Sequence, residues 1–175
     1  MLFRSEEIDI TAVPYHAWDN RPAGEMTVWL PEITAILEYK TANVFASHGN
    51  GTLDAIYDGE KPKNSNDGSI PRFTWWDHKG TAEWISVEFK KPRRISQAEV
   101  FWFDDTGHGG CRVPESWEIQ WLDGDKWKTV SGVSDYGIEK DKFNRVTFDE
   151  IATKSIRLMV KLQKGFSGGI LNLKV

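Results

Sequence analysis

The nine residues Ser155 to Gln163, SIRLMVKLQ, put Ile156, Leu158, Val160 and Leu162 at every second position, with Arg157, Met159, Lys161 and Gln163 between them. Period two marks a strand with one face in a core and the other in water or packed elsewhere. The same period recurs upstream. Ile85, Val87 and Phe89 share a face, as do Ala98, Val100 and Trp102, and again Trp117, Ile119 and Trp121. Asp123-Gly124-Asp125 then makes a turn, and Trp127 and Val130 begin a return strand. Leu171, Leu173 and Val175 close the chain and are expected on a common face. Only Leu53 to Tyr57 suggests a helical turn, with Gly59 placed to stop it. Many short strands with turns between them and almost no helix predict an all-β sandwich or barrel.

Composition agrees with a packed domain. The 175 residues are 39% hydrophobic and 13% aromatic, enough for a sizeable core without a metal or disulfide to hold it. The nine tryptophans exceed what core packing alone obviously needs. A net charge of −4 argues against a nucleic-acid partner, and the basic cluster Lys90, Lys91, Arg93 and Arg94 around Pro92 is read as a solvated loop. Cys111 is the single cysteine, which leaves neither a disulfide framework nor a cysteine-based zinc site. No apolar run approaches the roughly 18 residues of a membrane span. The start, MLFRSEEIDI, lacks the apolar core of a signal peptide, so an export signal is expected outside this sequence.

Two windows have no strand or helix period. Arg72 to Gly80 (RFTWWDHKG) and Asp104 to Pro114 (DDTGHGGCRVP) crowd tryptophan, histidine, acid, arginine and glycine together, each beside a strand. Loops carried by a rigid sheet commonly hold binding chemistry, and aromatic faces beside a few polar groups suit a sugar ring. Trp75 and Trp76 are neighbours and face opposite ways on an extended chain, so one can be a core plug while the other is exposed, as a candidate stacking platform. His78 falls on Trp76's side, either as a ligand contact or bonded to nearby backbone. In the second window Asp104, Asp105, His108 and Arg112 offer donors and acceptors for vicinal hydroxyls; alternatively Asp105 and Arg112 close the loop as an ion pair. Thr106 and Cys111 are read as packing. Phe166, in the flexible Gly165-Phe166-Ser167-Gly168-Gly169, is either a third wall or a lid over the core. Asp104-Asp105 is not expected to be a catalytic pair, because sequence neighbours rarely converge on one substrate atom as glycosidase carboxyls about 5 to 9 Å apart must. Oxygen donors from Asp54 through Asp58-Gly59 to Asn64, Asn66 and Asp67 favour calcium over a transition metal.

A boundary lies early. Ile8 to Tyr15 and Met26 to Leu30 read as a short β-hairpin arm (residues 1–31), followed by a connector (32–40) and the main sandwich (41–175). The arm VPYHAWDNRPAGEMTVWLP, Val13 to Pro31, resembles the end of the β-sandwich that follows the barrel in β-L-arabinofuranosidase-type glycoside hydrolases. The rest resembles the discoidin or coagulation-factor type C module, a galactose-binding-like jelly-roll β-sandwich appended to bacterial glycosidases. Asp58-Gly59, TAEWISVEF (Thr81 to Phe89), VFWFDD (Val100 to Asp105), VPESW (Val113 to Trp117) and GGIL (Gly168 to Leu171) carry that resemblance.

The resemblance implies a C-terminal piece of a larger enzyme, periplasmic or extracellular, acting as a non-catalytic carbohydrate-binding module. Its partners would be an arabinose- or galactose-containing glycan and the parent catalytic domain in cis, with no nucleic acid and no membrane. The alternative is a structural module that packs on the barrel without binding sugar. Cys111 does not inherit the barrel's catalytic cysteine, because none of the barrel's motifs occur here. Modules of this family often hold a structural calcium between the Asp58 loop and an acid of the last strand; here the matching residue is Asn172.

Overall fold

The computed structural model describes residues 42–175. The expected arm and connector, residues 1–40, lie outside the described residues. Eight strands follow in order: β1 (Asn43–Ala46), β2 (Asn50–Gly51), β3 (Phe73–Thr74), β4 (Ala82–Phe103), β5 (Ser116–Asp123), β6 (Lys126–Thr129), β7 (Phe143–Lys161) and β8 (Gly169–Lys174). One short 3-10 turn, Leu53–Ile56, stands where the helical signal pointed. The antiparallel order is β2-β3-β8-β4-β7-β5-β6, with β1 also on β4.

Two long strands turn this single sheet into two layers. The first half of β4 pairs with β1 and with the last residues of β7, whereas its second half pairs with β8 and the first residues of β7. The change occurs at Glu88 to Gln97, where the β4–β7 register shifts twice. Pro92, which cannot donate to the ladder, sits inside the first shift. The basic cluster around Pro92 is therefore a bend within one strand and not a loop between two, although Lys90, Lys91 and Arg94 are exposed as expected.

Between the layers lies the main core. Ile85, Val87, Phe89, Ala98, Val100, Trp102, Trp117 and Ile119 join Ile156, Leu158, Val160 and Leu162 there, and Trp121 packs against them. Two buried tryptophans also have their polar edge satisfied, because Trp102 Nε1 and Trp117 Nε1 both donate to the carbonyl of Gly137 (3.4 and 2.8 Å). Trp127 instead lies outside the core under the guanidinium of Arg157, 4.3 Å from its ring centroid.

The last strand departs from simple alternation. Phe101 pairs with Asn172, but the next residue, Trp102, pairs with Ile170, so Leu171 is skipped. This bulge flips the side-chain phase. Ile170 and Leu173 enter the main core, while Leu171 joins Phe101, Phe103 and Cys111 in a second, smaller cluster on the other side of the sheet. Leu171 and Leu173 thus do not share a face. The smaller cluster becomes the floor of the site described next.

Candidate functional site

The two loaded windows and the glycine-rich segment before β8 are bonded into one platform. Trp75 N–H donates to Gly168 O (3.0 Å) and Gly80 N–H to Phe166 O (3.1 Å), which ties the first window to that segment. Ser167 N–H donates to Gly110 O and Arg112 N–H to Ser167 O, both at 2.9 Å, which ties the second. Backbone bonds to a shared segment hold loops far more rigidly than side-chain contacts at their tips would.

On this platform Trp75 and Trp76 part company. Trp75 is 0% exposed and meets Phe73 edge-on in the core, whereas Trp76 is 41% exposed. Trp76, Asn50, Gly51, Arg72, Thr74, Phe103, Asp105, Gly109, Gly110 and Cys111 line a cavity of about 480 Å³. That volume is within the usual range for small-ligand sites, roughly 300–1,000 Å³. Gly110 has a steric role: a Cβ there would lie 2.8 Å from Trp76 Cζ3, so only glycine lets the indole rest against the loop.

Of the eight residues expected to touch ligand, Trp76 and Asp105 line this cavity. Trp75 does not, because the strand pairing of Phe73-Thr74 with Gly169-Ile170 turns it inward. Asp104 is buried and structural. Its carboxylate accepts from Thr106 N (3.0 Å) and Val113 N (3.1 Å), with Lys140 Nζ at 3.6 Å. Burial works to raise its pKa, yet these bonds and the ammonium outweigh it and hold the carboxyl below its ordinary value. Thr106 is exposed and bonds Asp104, and so is not a packing residue. His108 stands at the exposed loop tip, outside the cavity lining.

Arg112 is likewise committed to the loop. Its Nη1 donates to Cys111 O (2.6 Å) and Gly109 O (3.1 Å) and lies 3.4 Å from Asp105 Oδ1. Asp105 Oδ1 also accepts from Cys111 N (2.8 Å), leaving Oδ2 unengaged among the described residues. The ion-pair reading of these two residues therefore describes Arg112 fully and Asp105 in part. Phe166 is half-buried beneath the Arg112 guanidinium, 4.4 Å from ring centroid to Cζ, and does not line the cavity.

His78 braces the loop from behind. Its Nδ1 donates to Glu83 Oε1 (2.7 Å), and its ring stacks on His48 with centroids 3.7 Å apart. His48 Nε2 in turn lies 3.1 Å from the carbonyl oxygen of Trp76. Glu83 is buried, which raises its pKa, but hydrogen bonds from Ser47, Thr81 and His78 more than compensate and the carboxyl ends below its ordinary value. His78 is a positioning residue, bonded to a carboxylate and not to backbone. Cys111 is packing, as expected; burial foremost, with the nearby Asp105 charge, pushes its thiol up to about 11, so it stays neutral and unreactive.

Sequence reasoning did not name Asn50, Arg72, Thr74 or Phe103 as ligand contacts, although Arg72 and Thr74 lie within the first window and Phe103 immediately precedes the second. The Arg72 guanidinium lies over Phe103 at 4.9 Å and makes no hydrogen bond or ion pair among the described residues.

The oxygen-rich stretch resolves into used and unused donors. Asp54 accepts from Tyr57 OH (2.6 Å) and Asn64 from Asn66 N (2.9 Å). Asp67 accepts from Lys63 N and Ser69 N (both 3.0 Å) and from the Ser69 hydroxyl; that hydroxyl contributes most to drawing its pKa down to about 2. These side chains close turns. Asp58 is different: Oδ1 accepts from Glu60 N (2.8 Å), while Oδ2 is buried with no partner, and burial raises its pKa. Asn172 Nδ2 donates to Glu60 O (3.1 Å), so the last strand reaches this loop through a neutral amide. Among the described residues no three His, Cys, Asp or Glu side chains gather as a metal site. The orphaned Asp58 oxygen fits a hard cation held otherwise by neutral oxygens.

Residues 37–171 match the family described as the F5/8 type C domain. The chain belongs to that family. Residues 1–31 match the glycoside hydrolase family 127 C-terminal domain. A similar solved structure comes from the Streptococcus pneumoniae β-galactosidase BgaA, at 19% identity and TM-score 0.65, covering 75% of this chain and 89% of that one. The family 32 carbohydrate-binding module of Clostridium perfringens NanJ, solved with galactose, has 18% identity and TM-score 0.59, over 79% of this chain and 95% of that one. A C. perfringens module, CpGH89CBM32-5, solved with GalNAc-β-1,3-galactose, has 12% identity and TM-score 0.58, over 79% and 96%. At these identities the likeness establishes the galactose-binding-like sandwich alone.

Proposed function

We propose that this F5/8 type C domain is a non-catalytic carbohydrate-binding module that holds a parent glycoside hydrolase, in the periplasm or outside the cell, against its glycan. The observation that carries this reading is the cavity wall: an exposed indole resting on a glycine-lined loop, in one lining with a carboxylate oxygen and a carboxamide that have no partner among the described residues. Stacking Trp76 on a sugar ring buries its apolar face, while Asp105 Oδ2 and Asn50 can pair with hydroxyls. The match of residues 1–31 to a glycoside hydrolase segment supports an enzyme in cis.

Chemical-shift titration of the 175-residue chain with methyl galactosides, arabinofuranosides and galacturonides tests it. Amides of Trp76, Asp105 and Gly110 should move first, with weak affinity for single sugars. If no glycan of the panel perturbs them, the module is structural.

A weak structural calcium belongs to the same reading. Asp58 would hold it, with carbonyl oxygens of its loop, and the ion would offset the charge of the buried Asp58 carboxylate. With one carboxylate in the set, affinity should be at the weak end of protein calcium sites, about 10⁻⁴–10⁻³ M. Calcium at tenfold over its dissociation constant should then stabilise by about 1.4 kcal/mol and raise the unfolding midpoint by a few degrees. Asp58→Asn should remove the shift. An unchanged midpoint of the unsubstituted chain in 10 mM calcium would dispose of this site.

A further inference from the structure

The charges around the cavity do not balance. Asp105 is the carboxylate that lines it, and Arg112 stands 3.4 Å from its Oδ1. Asp77, beyond Trp76, lies outside the cavity lining. Arg72 has no such counterpart. It lines the cavity, it makes no ion pair among the described residues, and its guanidinium is oriented by the Phe103 ring. Lys79 adds a second positive charge at the rim, 4.8 Å from the Trp76 ring centroid. A neutral sugar would offer Arg72 hydroxyl acceptors but no opposite charge. A planar guanidinium held in place offers a pair of parallel N–H donors, and the group that matches them is a carboxylate.

We infer that the cavity selects a sugar carrying a carboxylate, a hexuronate residue, with Arg72 as the specificity-determining residue. This rests on the carbohydrate-binding reading above and names the class of sugar for the same site. In it the ring stacks on Trp76, the carboxylate meets Arg72, and hydroxyls on the opposite edge meet Asp105 Oδ2. Asp105 has Arg112 beside it, 3.4 Å from Oδ1, so its repulsion of the incoming carboxylate is reduced while its acceptor is kept.

The test compares methyl α-galacturonide with its methyl ester and with methyl α-galactoside on the 175-residue chain, by calorimetry and by chemical-shift titration. The free acid should bind roughly tenfold or more tighter than the ester, as expected for hydrogen bonds to a charged group. The gain should shrink between 20 mM and 500 mM salt, because the contact is partly exposed. Arg72→Gln should abolish the preference of acid over ester, and Arg72→Lys should keep part of it. Thermal unfolding of both variants identifies any loss due to misfolding, and Lys79→Gln, at a residue outside the cavity lining, should lower the preference less than Arg72→Gln does. Equal binding of acid and ester, or a preference that survives Arg72→Gln, overturns the inference and leaves the sugar site standing. Silence from all three ligands overturns the inference, and silence from the arabinofuranosides as well overturns the sugar site with it.

Discussion

Replacing Trp76 with alanine should lower affinity for any bound glycan by at least about tenfold while leaving the unfolding midpoint nearly unchanged. The indole is the exposed aromatic of the cavity lining, and truncating such an anchor usually costs more than a factor of ten in binding. Its contribution to folding is small, because 41% of it is exposed. Titration and thermal unfolding of the same variant decide the matter. Undiminished binding would show that the ligand sits elsewhere, and a large fall in midpoint would show that Trp76 is a core residue after all.

Trp75→Ala, one residue earlier, should do the reverse. Trp75 is fully buried against Phe73, and removing a buried indole leaves a cavity that costs about 3–5 kcal/mol. For a domain of this size that is about 10 °C of unfolding midpoint or more. Trp75→Phe should recover much of it, since the pocket is apolar and Trp75 Nε1 has no hydrogen-bond partner to lose. Calorimetric unfolding checks both variants. Equal midpoints for Trp75→Ala and Trp76→Ala would contradict the division of labour between the two residues.

That division illustrates how far sequence alone reaches. Adjacent residues on an extended chain face opposite ways, so one tryptophan is free to plug the core while the other is exposed. The sequence carries no sign of which. The choice follows from Thr74 pairing with Gly169 and Phe73 with Ile170, contacts made between segments nearly a hundred residues apart. Leu171 shows the same limit from the other side. Its alternation with Leu173 is genuine in the sequence, but the bulge opposite Phe101 and Trp102 reverses its face. Loop side chains failed for a third reason. Asp104, Asp67, Asn64 and Arg112 have the chemistry of ligand contacts, and each spends it on neighbouring backbone groups that would otherwise be unsatisfied.

Local chemistry determined the all-β character, the strands built on alternating apolar residues, the turn at Asp123-Gly124-Asp125, the inert cysteine, and the two loops that would carry a site. Those features depend on period, turn residues and composition, which act over a few positions. Tertiary structure alone decided which residues share the cavity. Asn50 comes from β2, Arg72 from the approach to β3, and Phe103 from the end of β4, joined only because β2, β3, β8 and β4 lie side by side. A binding site is a set of distances, and pairing across the sheet sets them. The unpaired charge of Arg72 is invisible until its neighbours are known.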